Sequence, residues 1–236
     1  MTRQYVWLWL CVLALTPAAH TLVAVAPTST RHTLSLVLLL LLSGDIELNP
    51  GPANFTICTL NIRSIFQPTH SAALSGLISS HNPDLLCLPE TWIRHTTACT
   101  ELAYCTPPNY SLLSFPRPFN RPNNNSEAAA GGTGFLIREP FTQLPSPENS
   151  FPSFESSSVT LKLPGSKISV FNVYRPPSTS HYSKPNSVFL DEFNSFLSLA
   201  ATTPHEFIVA GDFNIHADNC TNHFPLSFFH CSPRST

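Results

Sequence analysis

Four short apolar runs in this chain each lead into a side chain that carries oxygen or nitrogen. Residues 55–60 run into Asn61, and residues 84–88 into Pro89-Glu90. Residues 167–174 end on Tyr174, and residues 207–210 run into Gly211-Asp212-Phe213-Asn214. Apolar runs of this length, bounded by turn residues, read as buried strands. Helical patterns alternate with them. Residues 71–80 place Ala73, Leu74, Leu77 and Ile78 on one face, and residues 187–201 place Phe189, Phe193, Phe196 and Ala200 on another. Residues 110–114 and 134–138 give two more strands. Residues 159–163 and 167–174 pair as a hairpin over Pro164-Gly165-Ser166. Residues 117–134 and 143–158, rich in Pro, Ser, Asn and Gly, read as loops. Strands interleaved with helices predict a layered α/β protein, in which strand ends aim functional groups into a crevice.

The strand-end set contains two carboxylates, two amides and a phenol. Oxygen donors of this kind suit a hard cation such as Mg²⁺ or Mn²⁺, which needs few carboxylates and otherwise keeps water or phosphate oxygens. Cys and His are absent from the set, which argues against zinc. A cation beside hydrogen-bonding groups is standard equipment for phosphoryl chemistry. Each residue alone also suits a plain structural role. Glu90 fits a helix first turn, Asn61 a turn cap, Asn214 a helix cap and Tyr174 a packed strand end. Their ordered co-occurrence carries the functional reading.

Charge bounds the partners. Only 11% of residues are charged and the net charge is −2, which excludes a polyelectrolyte tail or a partner held by bulk electrostatics. Nucleic-acid contacts therefore fall to local arginines, with Arg63, Arg94, Arg117, Arg121 and Arg175 as candidates. The seven cysteines are irregularly spaced and form no Cys-x-x-Cys pair, which argues against a zinc knuckle. Cys58 and Cys87 sit in apolar runs as small buried hydrophobes. Cys99, Cys105, Cys220 and Cys231 are the candidates for disulfides.

The first fifty residues differ from the rest. Arg3, an apolar stretch over residues 5–15 and small residues after it have the layout of a secretory signal peptide. A second apolar run covers residues 34–42. Both are too short for a stable membrane span. Then comes Asp45-Ile46-Glu47-Leu48-Asn49-Pro50-Gly51-Pro52, which resembles the 2A-type ribosome-skipping peptides. The resemblance implies that the Gly51–Pro52 bond does not form during translation, because a hindered proline amine attacks a badly oriented peptidyl ester. The preceding apolar run would then act as a helix in the ribosome exit tunnel. Residues 1–51 are expected to be a leader and residues 52–236 a separate domain.

Five blocks occur in order: Thr59-Leu60-Asn61-Ile62-Arg63-Ser64, Pro83 through Glu90-Thr91-Trp92, Gly131-Gly132-Thr133-Gly134-Phe135-Leu136-Ile137, Val173-Tyr174-Arg175-Pro176-Pro177, and Gly211-Asp212-Phe213-Asn214. Together they resemble the endonuclease/exonuclease/phosphatase superfamily, and within it the AP-endonuclease-like domain of LINE-type non-LTR retrotransposons. The resemblance implies a four-layer α/β sandwich of two packed mixed sheets flanked by helices. It also implies a DNA phosphodiester substrate, nicked to leave a 3′-hydroxyl. Glu90 would bind the metal with Asn61 assisting. Asp212 would orient or activate the attacking water, and Asn214 and Tyr174 would hold the phosphate. His216 has no role in that pattern. The family's closing Ser-Asp-His motif is absent after Asp212, so the domain is expected to be C-terminally truncated and to nick DNA poorly.

Two other functions fit parts of the chain. One is a phosphatase of the same superfamily. The other is a secreted, non-enzymatic glycoprotein module, resting on the leader and on sequons at Asn54, Asn109, Asn124 and Asn219. If the skip occurs, the product beginning at Pro52 carries no secretory address and resides in the nucleus or cytoplasm, while the leader goes to the secretory pathway. No oligomeric state follows from the sequence.

Overall fold

The computed structural model describes residues 7–8, 40–42, 55–117, 130–144, 151–163, 166–180 and 183–215. Two mixed sheets and three helices make up these segments. The first sheet is built from β3 (Ile57–Asn61), β4 (Leu85–Pro89), β6 (Thr133–Arg138) and β5 (Tyr110–Phe115), in that spatial order. The second is built from β10 (Glu206–Asp212), β9 (Ser166–Tyr174), β8 (Glu155–Leu163) and β7 (Thr142–Leu144). Two short strands from the first fifty residues add to the edges. β1 (Trp7–Leu8) runs antiparallel to β3, and β2 (Leu40–Leu42) runs antiparallel to β10. The β3–β4 and β10–β9 pairs are parallel, so their carboxyl ends lie at one end of each sheet.

The sheets pack face to face. Phe55, Ile57, Leu85, Cys87, Phe135 and Ile137 meet Val159, Leu161, Ile168, Val170, Ile208 and Ala210 in one apolar cluster. Helix α1 (Pro68–His81) covers the outer face of the first sheet, where Leu74 and Leu77 meet Cys58, Leu60, Leu86 and Leu88. Helix α3 (Asn186–Ala200) covers the outer face of the second. Its Phe189, Phe193 and Phe196 pack on Phe154, Phe171, Phe207 and Phe213. The layers are therefore α/β/β/α, as expected.

Three local differences from the sequence reading have physical causes. Helix α1 starts three residues early, at Pro68, because proline is well suited to the first helical turn. Residues 143–158 are not a single loop. They supply the end of β7 and the first four residues of β8. The Ser156-Ser157-Ser158 stretch hides its strand character because it has no apolar alternation. Its strand is tied across the sheets, with Thr133 Oγ1 donating to Ser157 Oγ at 2.7 Å. Helix α2 (Cys99–Cys105) buries no residue, so it leaves no amphipathic signal.

Cys58 and Cys87 are buried free thiols. Cys99 and Cys105 are also free, and Cys220 and Cys231 lie outside the described residues. Burial pushes the Cys58 thiol up to about 11, and burial with Cys58 nearby pushes Cys87 well above the ordinary thiol range. In the unfolded chain both thiols titrate near the ordinary 9.0. Above that pH the unfolded state holds fewer protons than the folded one, so stability falls as pH rises, by about 1.4 kcal/mol per pH unit for each thiol. Urea midpoints should drop between about pH 9 and about pH 10.5. A Cys58→Ala/Cys87→Ala chain should show a flatter decline.

Candidate active site

The row of side chains facing the other sheet changes character along β8, β9 and β10. On β9, Ile168 and Val170 are followed at the same face by Asn172 and Tyr174. On β10, Ile208 and Ala210 are followed by Asp212. Register places Glu155, Tyr174 and Asp212 side by side across three strands. On the first sheet, Asn61 continues the face of Phe55 and Ile57 at the end of β3. Glu90 follows β4 directly. The period-two alternation that builds the apolar core thus delivers polar groups at its carboxyl-terminal rim.

Asn61 joins the two acids. Its Nδ2 donates to Glu90 Oε1 at 2.9 Å and to Asp212 Oδ2 at 2.6 Å. All three side chains are buried. Asp212 Oδ1 accepts from the Asn214 backbone N–H at 2.9 Å, and the indole Nε1–H of Trp92 points at Glu90 Oε2 at 3.4 Å. Burial raises the Asp212 carboxyl above its ordinary range. The bonds from Asn214 and Asn61 pull it down, Glu90 adds to the rise and Arg63 opposes it. Two buried carboxylates held together by a neutral amide form a site short of positive charge. That donor set fits a hard divalent cation. Among the described residues no group of three or more His, Cys, Asp or Glu is placed to hold a metal ion.

Tyr174 lies beside the acids. Burial pushes its phenol far up, Glu90, Glu155 and Asp212 push the same way, and Arg117 opposes them. The phenol therefore keeps its proton at neutral pH and serves as a donor. Asn214 caps the far side of Asp212. One N–H of its side-chain amide donates to the Arg175 carbonyl at 2.6 Å. The same amide carries a second N–H. Between them Phe213, fully buried, packs on Phe193 with ring centroids 5.5 Å apart and anchors the segment to α3. The structure thus brings Asn61, Glu90, Tyr174, Asp212 and Asn214 to one rim. Gly51 and Pro52 lie outside the described residues, as do Arg121 and His216.

Two of the arginines expected to meet nucleic acid are spoken for. Arg175 is buried, with its guanidinium 4.4 Å from the Phe189 ring centroid and bonded to Asn186 Oδ1. Burial lowers its pKa to about 10. Arg117 is paired with Glu155. A sequence displays their charge but not the apolar ring or the acid that claims it. Arg63 and Arg94 are exposed. The other buried acid, Asp84, stands at the opposite end of β4, where it pairs with Arg138 and accepts from the Thr56 N–H.

The sequence reading also missed the backbone. Of the seven described non-glycine residues with positive φ, five surround the site: Arg63, Ser64, Glu90, Trp92 and Asn214. Such conformations cost energy, and they persist where the surroundings over-determine them. Here the Ser64 N–H donates to the Glu90 carbonyl at 2.8 Å, and the Thr91 and Trp92 N–H groups donate to the Gly132 and Gly131 carbonyls at 3.1 and 2.8 Å.

Residues 58–230 match the model of the Endonuclease/Exonuclease/phosphatase family. No curated protein matches the sequence. Among solved structures the chain is similar to a humanized D. rerio TDP2, with 14% identity over 73% of this chain and 65% of that one and a TM-score of 0.50. It is also similar to the AP endonuclease LMAP from Leishmania major, with 19% identity, 74% and 65% coverage and a TM-score of 0.49. An AP endonuclease from Archaeoglobus fulgidus gives 18% identity, 74% and 68% coverage and a TM-score of 0.47. At 14% identity the likeness to TDP2 is one of fold. The chain spans 65% of the TDP2 structure it matches.

Proposed function

This chain belongs to the endonuclease/exonuclease/phosphatase family, and on that premise we propose that it is the Mg²⁺- or Mn²⁺-dependent DNA-nicking domain of a non-LTR retrotransposon. The observation that carries the reading is the Asn61 amide bridging Glu90 and Asp212 at the rim between the sheets. In this reading Glu90 and Asn61 hold the divalent cation, which supplies charge neutralisation at the phosphate. Asp212, fixed by two donors, orients the attacking water and accepts its proton. Tyr174, kept protonated, donates to a phosphate oxygen, and Asn214 contributes its second N–H. The retrotransposon branch is supported by the Pro89-Glu90-Thr91-Trp92 and Tyr174-Arg175-Pro176-Pro177 blocks and by the 2A-like segment.

The sequence holds no Ser-Asp-His after Asp212. A histidine in proton transfer contributes about 10²–10⁴-fold, so this 236-residue chain should nick slowly. Incubated with supercoiled plasmid and Mg²⁺, it should slowly yield open circles whose 3′-hydroxyls a polymerase extends, and EDTA should stop the conversion. Nicking that survives EDTA would sink the metal reading. Intact plasmid with phosphate release from small monoesters would favour the phosphatase branch instead.

The leader makes a separate prediction. Cell-free translation should give two products split between Gly51 and Pro52, and Pro52→Ala should merge them into one. A single band from the parent chain would overturn the skipping assignment. The product starting at Pro52 should accumulate in the nucleus or cytoplasm, and glycosylated protein in the medium would count against that location.

A further inference from the structure

One buried ion pair at the rim is not used by the proposed chemistry. Arg117 Nε pairs with Glu155 Oε1, and both side chains are largely buried. Glu155 Oε2 accepts from the Gly132 backbone N–H at 2.6 Å. Gly132, with Gly131, stands in a left-handed turn just before β6, at φ +79° and +96°. The carbonyls of these same two glycines accept from Thr91 and Trp92. Thr91 lies between two left-handed residues, Glu90 and Trp92, and the Trp92 indole points back at Glu90. The Arg117 guanidinium also lies over the Tyr174 ring, 5.9 Å from its centroid. A chain of contacts thus runs from β8 of one sheet, through the glycine turn of the other, to the carboxylate assigned to the metal.

We infer that the Arg117–Glu155 pair is a positioning device that clamps the Gly131–Gly132 turn and thereby holds Glu90 in its ligating pose. The inference rests on the reading of Glu90 as a metal ligand only for its consequence, not for the clamp itself. The glycines explain why the turn tolerates the clamp. A Cβ at Gly131 would overlap the Arg117 guanidinium, and one at Gly132 would stand 3.0 Å from Thr91 Oγ1. Ion pairs of this kind also affect stability, so the test must separate position from stability. Replacing both partners by apolar residues of similar size commonly leaves stability intact, whereas removing one does not.

The experiment uses the full chain with Trp7→Phe and Trp9→Phe, which leaves Trp92 as the sole tryptophan. Arg117→Met/Glu155→Leu removes the clamp without leaving a lone charge. Acrylamide quenching of Trp92 should rise about twofold as the segment loosens. Tb³⁺ affinity, read by luminescence sensitised through Trp92, should fall about tenfold or more. Arg117→Lys, which keeps a cation beside Glu155, should retain much of both parental values. If the double variant does not fold, Glu155→Gln removes the ion pair while keeping an amide oxygen for the Gly132 N–H, and should shift both readouts the same way. A folded double variant with parental quenching and parental Tb³⁺ affinity would overturn the inference. If the parent binds no Tb³⁺ but quenching still rises in the double variant, the clamp stands and the metal assignment of Glu90 fails.

Discussion

Asp212→Asn should cut Mg²⁺-dependent plasmid nicking by about 10²–10⁴-fold, the usual weight of a group that orients and deprotonates a nucleophile. The substitution changes charge and donor pattern but hardly changes shape. Asp212 accepts from Asn61 at Oδ2 and from the Asn214 N–H at Oδ1. An asparagine can offer an oxygen to only one of them and must turn an N–H₂ toward the other. The variant therefore loses the base and sets donor against donor in a buried site. Glu90→Gln should fall at least as far, because it removes one of the two carboxylates that Asn61 bridges and misaligns that bridge. Both variants should still melt cooperatively, with Asp212→Asn below the parent because of the donor clash. Nicking assayed over hours on supercoiled plasmid, with a melt on the same preparation, checks both statements. Parental rates in either folded variant would remove the site from these residues.

Gly211→Ala should cost the fold most of its stability. Gly211 sits in β10 opposite Val173 of β9, with φ at +136°. A Cβ there would overlap the Val173 carbonyl oxygen and stand 2.7 Å from the Val173 nitrogen. Backbone cannot rotate aside as a side chain can. Strands β9 and β10 would have to separate at the position just before Tyr174 and Asp212. A loss above about 4 kcal/mol is expected, from combined steric and dihedral strain. A whole domain commands only about 5–15 kcal/mol. The chain should express insolubly or unfold at much lower urea. Gly76→Ala is the control. It lies in the α1 interior, where an added Cβ would meet nothing within 4 Å, and should gain about 0.5–1 kcal/mol from helix propensity. A Gly211→Ala midpoint near the parent's would show that the sheet yields more easily than its geometry implies.

Much of this architecture is legible in the sequence. The apolar runs of β3, β4, β9 and β10 and the phenylalanine spacing of α3 are local patterns, and local patterns survive in a linear text. Segments whose stability comes from partners are not legible there. The start of β8 is held by cross-sheet hydroxyls, α2 buries nothing, and β1 and β2 exist only as pairings with distant strands. The same division runs through the site. Its five residues and their place at strand ends are visible in the sequence. The direct bridge between Asn61 and Asp212 spans 151 positions, and no spacing rule reaches so far.

The strand-end pattern therefore determined, by itself, that polar groups gather where apolar strands stop, because side chains alternate and the core ends where the alternation turns polar. Tertiary structure alone decided which of those groups touch. It joined Glu90 to Asp212 through one amide, and it withdrew Arg117 and Arg175 into buried contacts. It also bent Glu90 and Trp92 into left-handed backbone, bonded to Ser64 and to the glycine turn before β6. The reason is physical. Contact energies between distant segments outweigh the local preferences of each, and a sequence displays only the preferences.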